Sequence, residues 1–144
     1  MTVFQLLKIV GVSAVLALVF SAPAGAAEMS MKKRMQAYFD TVNKGDVAGA
    51  GAFYAPNAVI EDPIGIVVKS TAPDFIKGAM SIGVKYELAA PLRGNMTIAA
   101  DLKIHVGTKG ILHAVEVYTF DASGHITKMQ AIWGDDDREG QLPN

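Results

Sequence analysis

Between residues 31 and 42 the apolar residues recur at steps of three and four, which is the spacing of an amphipathic helix. They are Met31, Met35, Tyr38, Phe39 and Val42. Gly45 ends this stripe, and Asp46 is suited to cap a second, short helix that we expect to reach Tyr54. Gly49 and Gly51 lower the helix propensity of that segment and indicate close packing instead.

Residues 58–65 read Ala-Val-Ile-Glu-Asp-Pro-Ile-Gly, an apolar β-branched run that meets two carboxylates, a proline and a glycine. The run predicts a strand that stops or bends at Asp62, because Pro63 excludes the α region for the residue before it. A carboxylate held in this way at the end of a buried strand is well placed to face a cavity. Residues 66–69 read as the return strand, so residues 63–65 are predicted to form a hairpin loop.

The second half of the chain is dominated by strand patterns. A third helix begins near residues 71–74 and carries Phe75, Ile76 and Met80 along one face. Four apolar runs follow, at residues 84–89, 96–106, 111–120 and 126–133. Short, turn-rich loops at residues 107–110 and 121–124 join the last three of these runs. Helices followed by an antiparallel meander predict an α+β domain, with N-terminal helices packed on a curved antiparallel sheet.

The composition excludes several classes of function. The 144 residues are 51% hydrophobic, which suits one domain with a full-sized core. A net charge of −1 gives no basic surplus for binding nucleic acid. The absence of cysteine excludes disulfides, thiolate catalysis and cysteine-ligated metals. The three histidines lack metal-site spacing, so we expect them to lie on the sheet surface or in packing contacts: His105, His113 and His125.

Residues 1–27 have the pattern of a secretory signal peptide. Lys8 supplies a small basic region, residues 9–20 form an almost unbroken apolar run, and Ala24-Gly25-Ala26 is a small-residue cleavage site. Export to the periplasm or the exterior is therefore expected, with no stable membrane association after cleavage. An uncleaved membrane anchor is one alternative. A translation start at Met29 or Met31, which would leave the protein in the cytoplasm, is another.

The mature protein is then expected to have one folded domain, at residues 28–134. The run Asp-Asp-Asp-Arg-Glu-Gly at residues 135–140 is strongly polar. Residues 135–144 are therefore predicted to form a solvated tail.

Three side chains depart from their local patterns. Tyr38 lies on the apolar stripe of the first helix, where its alternative role is that of a core tyrosine with a backbone partner. Asp62 is either a carboxylate facing a cavity or an ordinary turn residue. Glu116 lies in an apolar strand, where a buried carboxyl must be paired, hydrogen-bonded or protonated. An exposed sheet patch or a dimer contact is the alternative for Glu116.

Taken together, these three groups suit the abstraction of a proton next to a carbonyl group. Asp62 at the mouth of a cavity would act as the ionised base. The phenol of Tyr38 and the neutral acid of Glu116 would donate hydrogen bonds to the developing enolate oxygen. This chemistry needs no cofactor and no metal.

These residues also carry a resemblance to bacterial ketosteroid isomerases, of the nuclear-transport-factor-two-like, or SnoaL-like, superfamily. It extends over about residues 30–134 and is most specific at Glu61-Asp62-Pro63-Ile64-Gly65. Further matching stretches are residues 38–46, Phe53 and the last strand, at residues 126–134. The 24 positions that separate Tyr38 from Asp62 match the interval between the oxyanion-hole tyrosine and the aspartate base of that family.

The resemblance implies a conical α+β fold and a homodimer formed through the outer sheet face. It implies that Tyr38 is an oxyanion donor, that Asp62 shuttles a proton from C4 to C6 of a steroid, and that Glu116 stands where the family has a protonated aspartate. Two features depart from the family. Glu116 is one methylene longer than aspartate, and the segment between Asp62 and Ala100, where the pocket wall runs, is shorter.

An apolar pocket for a steroid-like ligand is expected beside these three residues. Seven residues are predicted to line it: Phe53, Tyr54, Phe75, Leu112, Tyr118, Met129 and Trp133. For Trp133 a place in the ordinary core is the alternative. The sequence thus favours a steroid delta-isomerase. There are two other hypotheses. One is a non-catalytic carrier of apolar ligands, and the other is a polyketide-cyclase-like or hydratase-type enzyme of the same superfamily.

Overall fold

The computed structural model describes residues 24–62, 66–68 and 72–142. Most of the predicted signal peptide, residues 1–23, lies outside the described residues, and so does the predicted hairpin loop at residues 63–65. No helix within the described ranges combines the length and the apolar composition needed to cross a membrane.

The described residues form three α-helices, one 3-10 helix and eight strands. The α-helices are α1 (Ala24–Asn43), α2 (Val47–Gly51) and α3 (Ala72–Ser81). The strands are β1 (Tyr54–Asp62), β2 (Ile66–Val68), β3 (Val84–Leu88), β4 (Arg93–Gly94), β5 (Thr97–Val106), β6 (Gly110–Phe120), β7 (Ile126–Ile132) and β8 (Arg138–Gly140). The 3-10 helix, Asp135–Asp137, lies just before β8.

The predicted stripe of α1 is confirmed as the helix face that packs into the core. Met35, Tyr38, Phe39 and Val42 are all buried. Asp46 caps α2 as predicted, because its Oδ1 accepts a hydrogen bond of 2.8 Å from the backbone N–H of Gly49. The expectation that α2 reaches Tyr54 is wrong. The helix ends at Gly51, and Tyr54 already belongs to β1.

The glycine at the end of α2 allows a close approach to α3. A Cβ added at Gly51 would lie 3.1 Å from Cγ of Pro73. The predicted close packing of this segment is therefore confirmed, and it fixes the position of α3 over the sheet.

The strands form one curved, mixed sheet of eight strands in the described part of the chain. Along its main path the order is β2-β1-β7-β6-β5-β3, with β4 beside β5 and β8 beside β6. The antiparallel meander of β5, β6 and β7 is confirmed. The prediction of a wholly antiparallel sheet is wrong at one place, because β1 pairs with β7 in parallel. Most of the domain separates these two strands in sequence, and so long a connection permits parallel pairing.

Two strand boundaries also differ from the sequence patterns. β1 begins at Tyr54 rather than after Pro56. The pairing of β1 with β7 is interrupted between Tyr54 and Val59. Pro56 is tolerated there because its missing N–H is not needed for strand pairing. The expectation of a solvated tail is wrong for the backbone of residues 138–140. These residues form β8 and pair with the first residues of β6.

The cross-strand register fixes which residues share the helix-covered face of the sheet, which we call the inner face. One row across this face contains Tyr86, Ile104, Leu112 and Arg138 from four neighbouring strands. A second row contains Ala100, Glu116 and Ala131. Because side chains alternate between faces along each strand, both rows point toward α1 and α3.

The cap of α2 gives a test of the local fold. Asp46→Ala removes the acceptor for the N–H of Gly49, so we expect it to lower the free energy of unfolding by about 1 kcal/mol. Urea denaturation of the purified protein measures this change. Asp46→Asn keeps a side-chain oxygen at the cap and serves as the matched control. An equal loss in both variants would mean that the cap contributes nothing.

Candidate active site

A cavity of about 440 Å³ opens between α3 and the inner face of the sheet. Its walls are mainly apolar, with Phe75 and Ala79 on the helix side and Ile104, Val106 and Leu112 on the sheet side. Polar groups reach it at only a few points. This volume and this lining are typical of a site for a small apolar ligand.

Glu116 is the buried carboxyl of the cavity. Its side chain is 3% exposed, on the same face of β6 as Ala114 and Tyr118, so its predicted burial is confirmed. The hydroxyl of Tyr118 donates a hydrogen bond to its Oε2. Burial raises the pKa of Glu116 from 4.5 to about 7; the Tyr118 hydrogen bond opposes this rise, and the charge of Asp62 adds to it. The carboxyl therefore keeps its proton to a higher pH than an ordinary glutamate does.

Asp62 reaches the same cavity from the end of β1. Along this strand Ile60 is buried, Glu61 faces outward, and Asp62 faces inward onto the cavity wall. Glu61 accepts a hydrogen bond from Gln130 and lies 3.1 Å from Nζ of Lys128, both on β7. These contacts fix the last residues of β1 on the sheet and thereby fix the position of Asp62.

The register sets the separation of the two carboxyls. Glu61 is opposite Gln130, so Asp62 lies at the level of Ala131, which is itself opposite Glu116. Only β7 lies between the two strands that carry them. Their backbones are thus about 10 Å apart, twice the spacing of neighbouring strands, and both side chains face the cavity.

Tyr38 is buried as predicted, but it is not on the cavity wall. Its hydroxyl shares a hydrogen bond of 3.0 Å with the hydroxyl of Tyr54, and its side chain is 1% exposed. Its ring packs edge-on against those of Phe53, Tyr54 and Tyr118. Burial raises the pKa of Tyr38 well above its ordinary value, so the phenol stays protonated. Tyr38 thus belongs to a group of buried phenols that contacts Glu116 through Tyr118.

The residues predicted to line the pocket fall into two groups. Phe75, Leu112 and Trp133 are on the cavity wall. The other four pack in the core beside it: Phe53, Tyr54, Tyr118 and Met129. Strand alternation and helix periodicity can indicate that a residue faces inward. These patterns do not distinguish a residue packed in the core from a residue on the cavity wall.

Tyr86 on β3 lines the cavity and was missed by the sequence analysis. The side chain of Asn43, the last residue of α1, holds it in place: Asn43 donates to the carbonyl of Tyr86 and accepts from its N–H, both at 2.8 Å. The Tyr86 hydroxyl has no hydrogen-bond partner among the described residues. Burial raises its pKa well above the ordinary value, and the charge of Glu116 adds to this. Tyr86 is therefore a protonated donor available to a ligand.

Two charged residues on the wall were also missed. Asp74 lies in the first turn of α3, where a carboxylate is favoured by the helix dipole. Arg138 comes from β8, and its side chain is 19% exposed. Asp74 could be noted from the sequence only as part of a helix start. Arg138 lay within the run assigned to a solvated tail.

Within the described ranges, no three histidine or acidic side chains are grouped so that they could hold a metal ion. The three histidines are partly exposed, and each lies beside a carboxylate: His105 beside Glu87, His113 beside Glu139 and His125 beside Asp121. The sequence had not predicted these acidic partners.

The chain is similar to known proteins over most of its length. A family model described as a SnoaL-like domain matches residues 35–129. A curated steroid Delta-isomerase from Nocardioides simplex is 30% identical over 113 residues, which cover 74% of this chain and 92% of that protein.

Two solved structures are similar in fold. SalBIII, an epoxide hydrolase/cyclase-like enzyme with a role in pyran ring formation in the polyether salinomycin, is 25% identical with a TM-score of 0.70. The match covers 80% of this chain and 98% of that one. An NTF2-like protein of unknown function from Cytophaga hutchinsonii is 13% identical with a TM-score of 0.64, over 74% of this chain and 91% of that one.

The raised pKa of Glu116 predicts a pH-dependent stability. Between pH 4.5 and about 7 the native state keeps a proton that the unfolded state releases, so this group makes the protein less stable as the pH rises through that window. Glu116→Gln removes the titration. The stability of the variant relative to the unmutated protein should therefore increase by about 2 to 3 kcal/mol between pH 5 and pH 8.

Urea denaturation at the two pH values measures this difference. Glu87→Gln is the control, because Glu87 is exposed and its pKa is lowered, chiefly by the hydrogen bond with His105. The stability of that variant relative to the unmutated protein should change little between pH 5 and pH 8, because a lowered pKa affects stability only near and below the ordinary value of 4.5. A pH-independent effect of Glu116→Gln would show that Glu116 titrates normally.

Proposed function

Because the chain belongs to the family of SnoaL-like domains, we propose that it is a cofactor-independent isomerase that moves a double bond of a 3-oxo delta-5 steroid into conjugation. The similarity to a steroid Delta-isomerase supports this substrate class. The observation that carries the proposal is the pair of carboxyls in one apolar cavity, of which Glu116 is the buried one with a raised pKa. An acid and a base of this kind can work together at one ketone.

Asp62 is the base in this mechanism. Its carboxylate takes a proton from the carbon next to the carbonyl and returns it to the far end of the dienolate, so the proton moves within the substrate. The contacts of Glu61 with β7 support this role, because they hold the neighbouring carboxylate in one place. A base that is already positioned next to the substrate lowers the entropic part of the activation free energy.

Glu116 stabilises the charge that develops on the substrate oxygen. The Tyr118 hydroxyl already donates to its Oε2, so we assign the carboxyl proton to Oε1, from which it is donated to the ligand. A hydrogen bond to a developing enolate in a water-poor cavity strengthens as the charge grows. Tyr118 also fixes the longer glutamate side chain, which has one more rotatable bond than aspartate.

Tyr86 is the second donor in this proposal. Tyr86 lines the cavity, and Asn43 fixes the backbone from which its side chain extends. The hydroxyl of Tyr38, in contrast, already shares a hydrogen bond with that of Tyr54. Tyr38 therefore acts behind the site, where it packs against Tyr118, and the contact with the ligand oxygen passes to Tyr86.

A second function is favoured by one observation, the third carboxyl on the wall. Asp74, Asp62 and Glu116 together could activate a water or hydroxyl group and protonate a leaving oxygen, the chemistry of a hydratase or cyclase. The similarity to an epoxide hydrolase/cyclase-like enzyme agrees with this alternative. A purely binding protein, by comparison, would not convert its ligand, so the three carboxyls would have no catalytic role.

Removal of the base gives the first test of the isomerase. Asp62→Asn should lower the rate of conversion of androst-5-ene-3,17-dione at least a hundredfold, as measured by the absorbance of the conjugated enone. Binding of the conjugated product should change less than threefold, because the amide fills the same space. Asp74→Asn is the control and should keep most of the activity.

The outcomes separate the candidate functions. No turnover by the folded, unmutated protein, together with tight product binding, would identify a carrier and contradict the isomerase. A loss of turnover in Asp74→Asn equal to that in Asp62→Asn would favour the hydratase or cyclase chemistry.

A comparison of two phenols tests the assignment of the donors. Tyr86→Phe should lower kcat about tenfold or more with little change in KM, because its hydrogen bond strengthens in the transition state. Tyr38→Phe should have the smaller effect on kcat and the larger effect on stability, since it leaves the buried Tyr54 hydroxyl without its partner. The reverse order of kcat effects would return the donor role to Tyr38.

A further inference from the structure

Residues 138–142, which we call the C-terminal segment, form part of the cavity wall. Arg138 and Leu142 both line the cavity. Leu142 is partly buried and packs against the hydrophobic core, so it belongs to the folded domain. The SnoaL-like family model matches only as far as residue 129, so the match does not extend to this part of the wall.

Hydrogen bonds hold the C-terminal segment on the sheet. β8 pairs with the first residues of β6. Beyond β8, the backbone N–H of Gln141 donates to the carbonyl of Lys109 at 2.8 Å. The carbonyl of Leu142 accepts a hydrogen bond of 3.3 Å from Nη2 of Arg138. Leu142 is therefore held beside the loop that joins β5 to β6.

Gly140 allows the chain to turn from β8 toward the cavity. Its φ of +87° lies in the region that L-amino acids with side chains rarely adopt. A Cβ at this position would lie 2.5 Å from the carbonyl oxygen of Lys109. Gly134 differs in both respects, because its backbone is extended and an added Cβ would meet only Oδ2 of Asp137, at 3.8 Å. The path of the C-terminal segment thus requires glycine at residue 140 but not at residue 134.

The strand register places the C-terminal segment at the end of the cavity away from the buried acid. Arg138 is opposite Leu112, and Leu112 is four residues from Glu116 on β6, which is about 13 Å along the strand. Leu142 follows β8 and lies at the same end. The cavity therefore has a proton-transfer end at Asp62 and Glu116 and a far end bounded by Leu142.

We propose that Leu142 is a specificity-determining residue, whose side chain limits how far a ligand can extend at the end opposite its ketone. This inference rests on the proposed isomerase for the position of the ketone. At about 440 Å³ the cavity is in the lower half of the usual range for ligand sites, roughly 300 to 1,000 Å³. A longer ligand would have to displace Leu142 from the core, and overpacking of this kind is unfavourable. The preferred substrate is thus a ketone with a small substituent at its far end.

The test uses two ligands that share the skeleton and the ketone. They are 17β-hydroxyandrost-4-en-3-one and its 17-valerate ester, whose acyl chain lengthens the far end. At an open end the added methylene groups would tighten binding, because they would leave water. Equilibrium binding to the unmutated protein should instead be about tenfold weaker for the ester.

Substitutions in the C-terminal segment then test the role of Leu142. Leu142→Ala should lower the preference for the alcohol about fivefold or more, because it leaves room for the acyl chain. Leu142→Trp should increase the preference. Gly140→Ala should act like Leu142→Ala, since it displaces the segment without changing that side chain. Gly134→Ala is the matched control and should keep the preference of the unmutated protein.

Other outcomes would contradict one proposal or both. Equal or tighter binding of the ester by the unmutated protein would overturn the size limit, and the isomerase would still stand if the delta-5 isomer of the alcohol is converted. A preference that Leu142→Ala and Gly140→Ala both leave unchanged would show that another part of the wall sets the limit. A preference that depends on Leu142, without conversion of the delta-5 isomer, would keep the size limit and contradict the isomerase. If neither ligand binds, both proposals fail.

Discussion

The burial of one carboxyl group is the constraint on which the site depends. Glu116 lies on the inner face of β6, almost fully removed from water, with Tyr118 bonded to one of its oxygens. A charged carboxylate in this place would be far less stable than in water, so the group retains its proton to a higher pH, with its pKa raised to about 7. The burial that lowers stability at high pH also gives the cavity an acid that stays neutral to a higher pH than a glutamate in water.

The rest of the molecule arranges other groups around that acid. The long meander of β5, β6 and β7 sets the row of Glu116, and the parallel contact of β1 with β7 brings Asp62 to the same level from the other side. α1 contributes Asn43, which fixes Tyr86, and α3 closes the apolar wall. Long-range strand pairing therefore determines the chemistry as much as the identity of any single residue does.

Local patterns in the sequence were enough to predict part of this arrangement. The stripe of α1, the alternation around Glu116 and the Asp62–Pro63 step are short-range signals, and they correctly gave a buried helix face, a buried acid and an inward carboxylate. Tyr38 shows the limit of such signals, because periodicity predicts burial but does not tell whether the phenol lies in the core or on the cavity wall. Arg138 could not be recognised from the sequence as a cavity residue. Its orientation depends on the pairing of β8 with β6, in which it is opposite Leu112, a residue distant in sequence.

Titration of Glu116 is the most direct test of whether the cavity holds a neutral acid. Carbon-13 NMR of protein labelled at the glutamate carboxyls follows each group with pH, and Glu116→Gln identifies the signal of interest by its loss. The structure predicts a titration midpoint near pH 7 for Glu116 in the folded protein. A midpoint near the ordinary 4.5 would contradict it, because the cavity would then hold no acid that is still protonated near neutral pH.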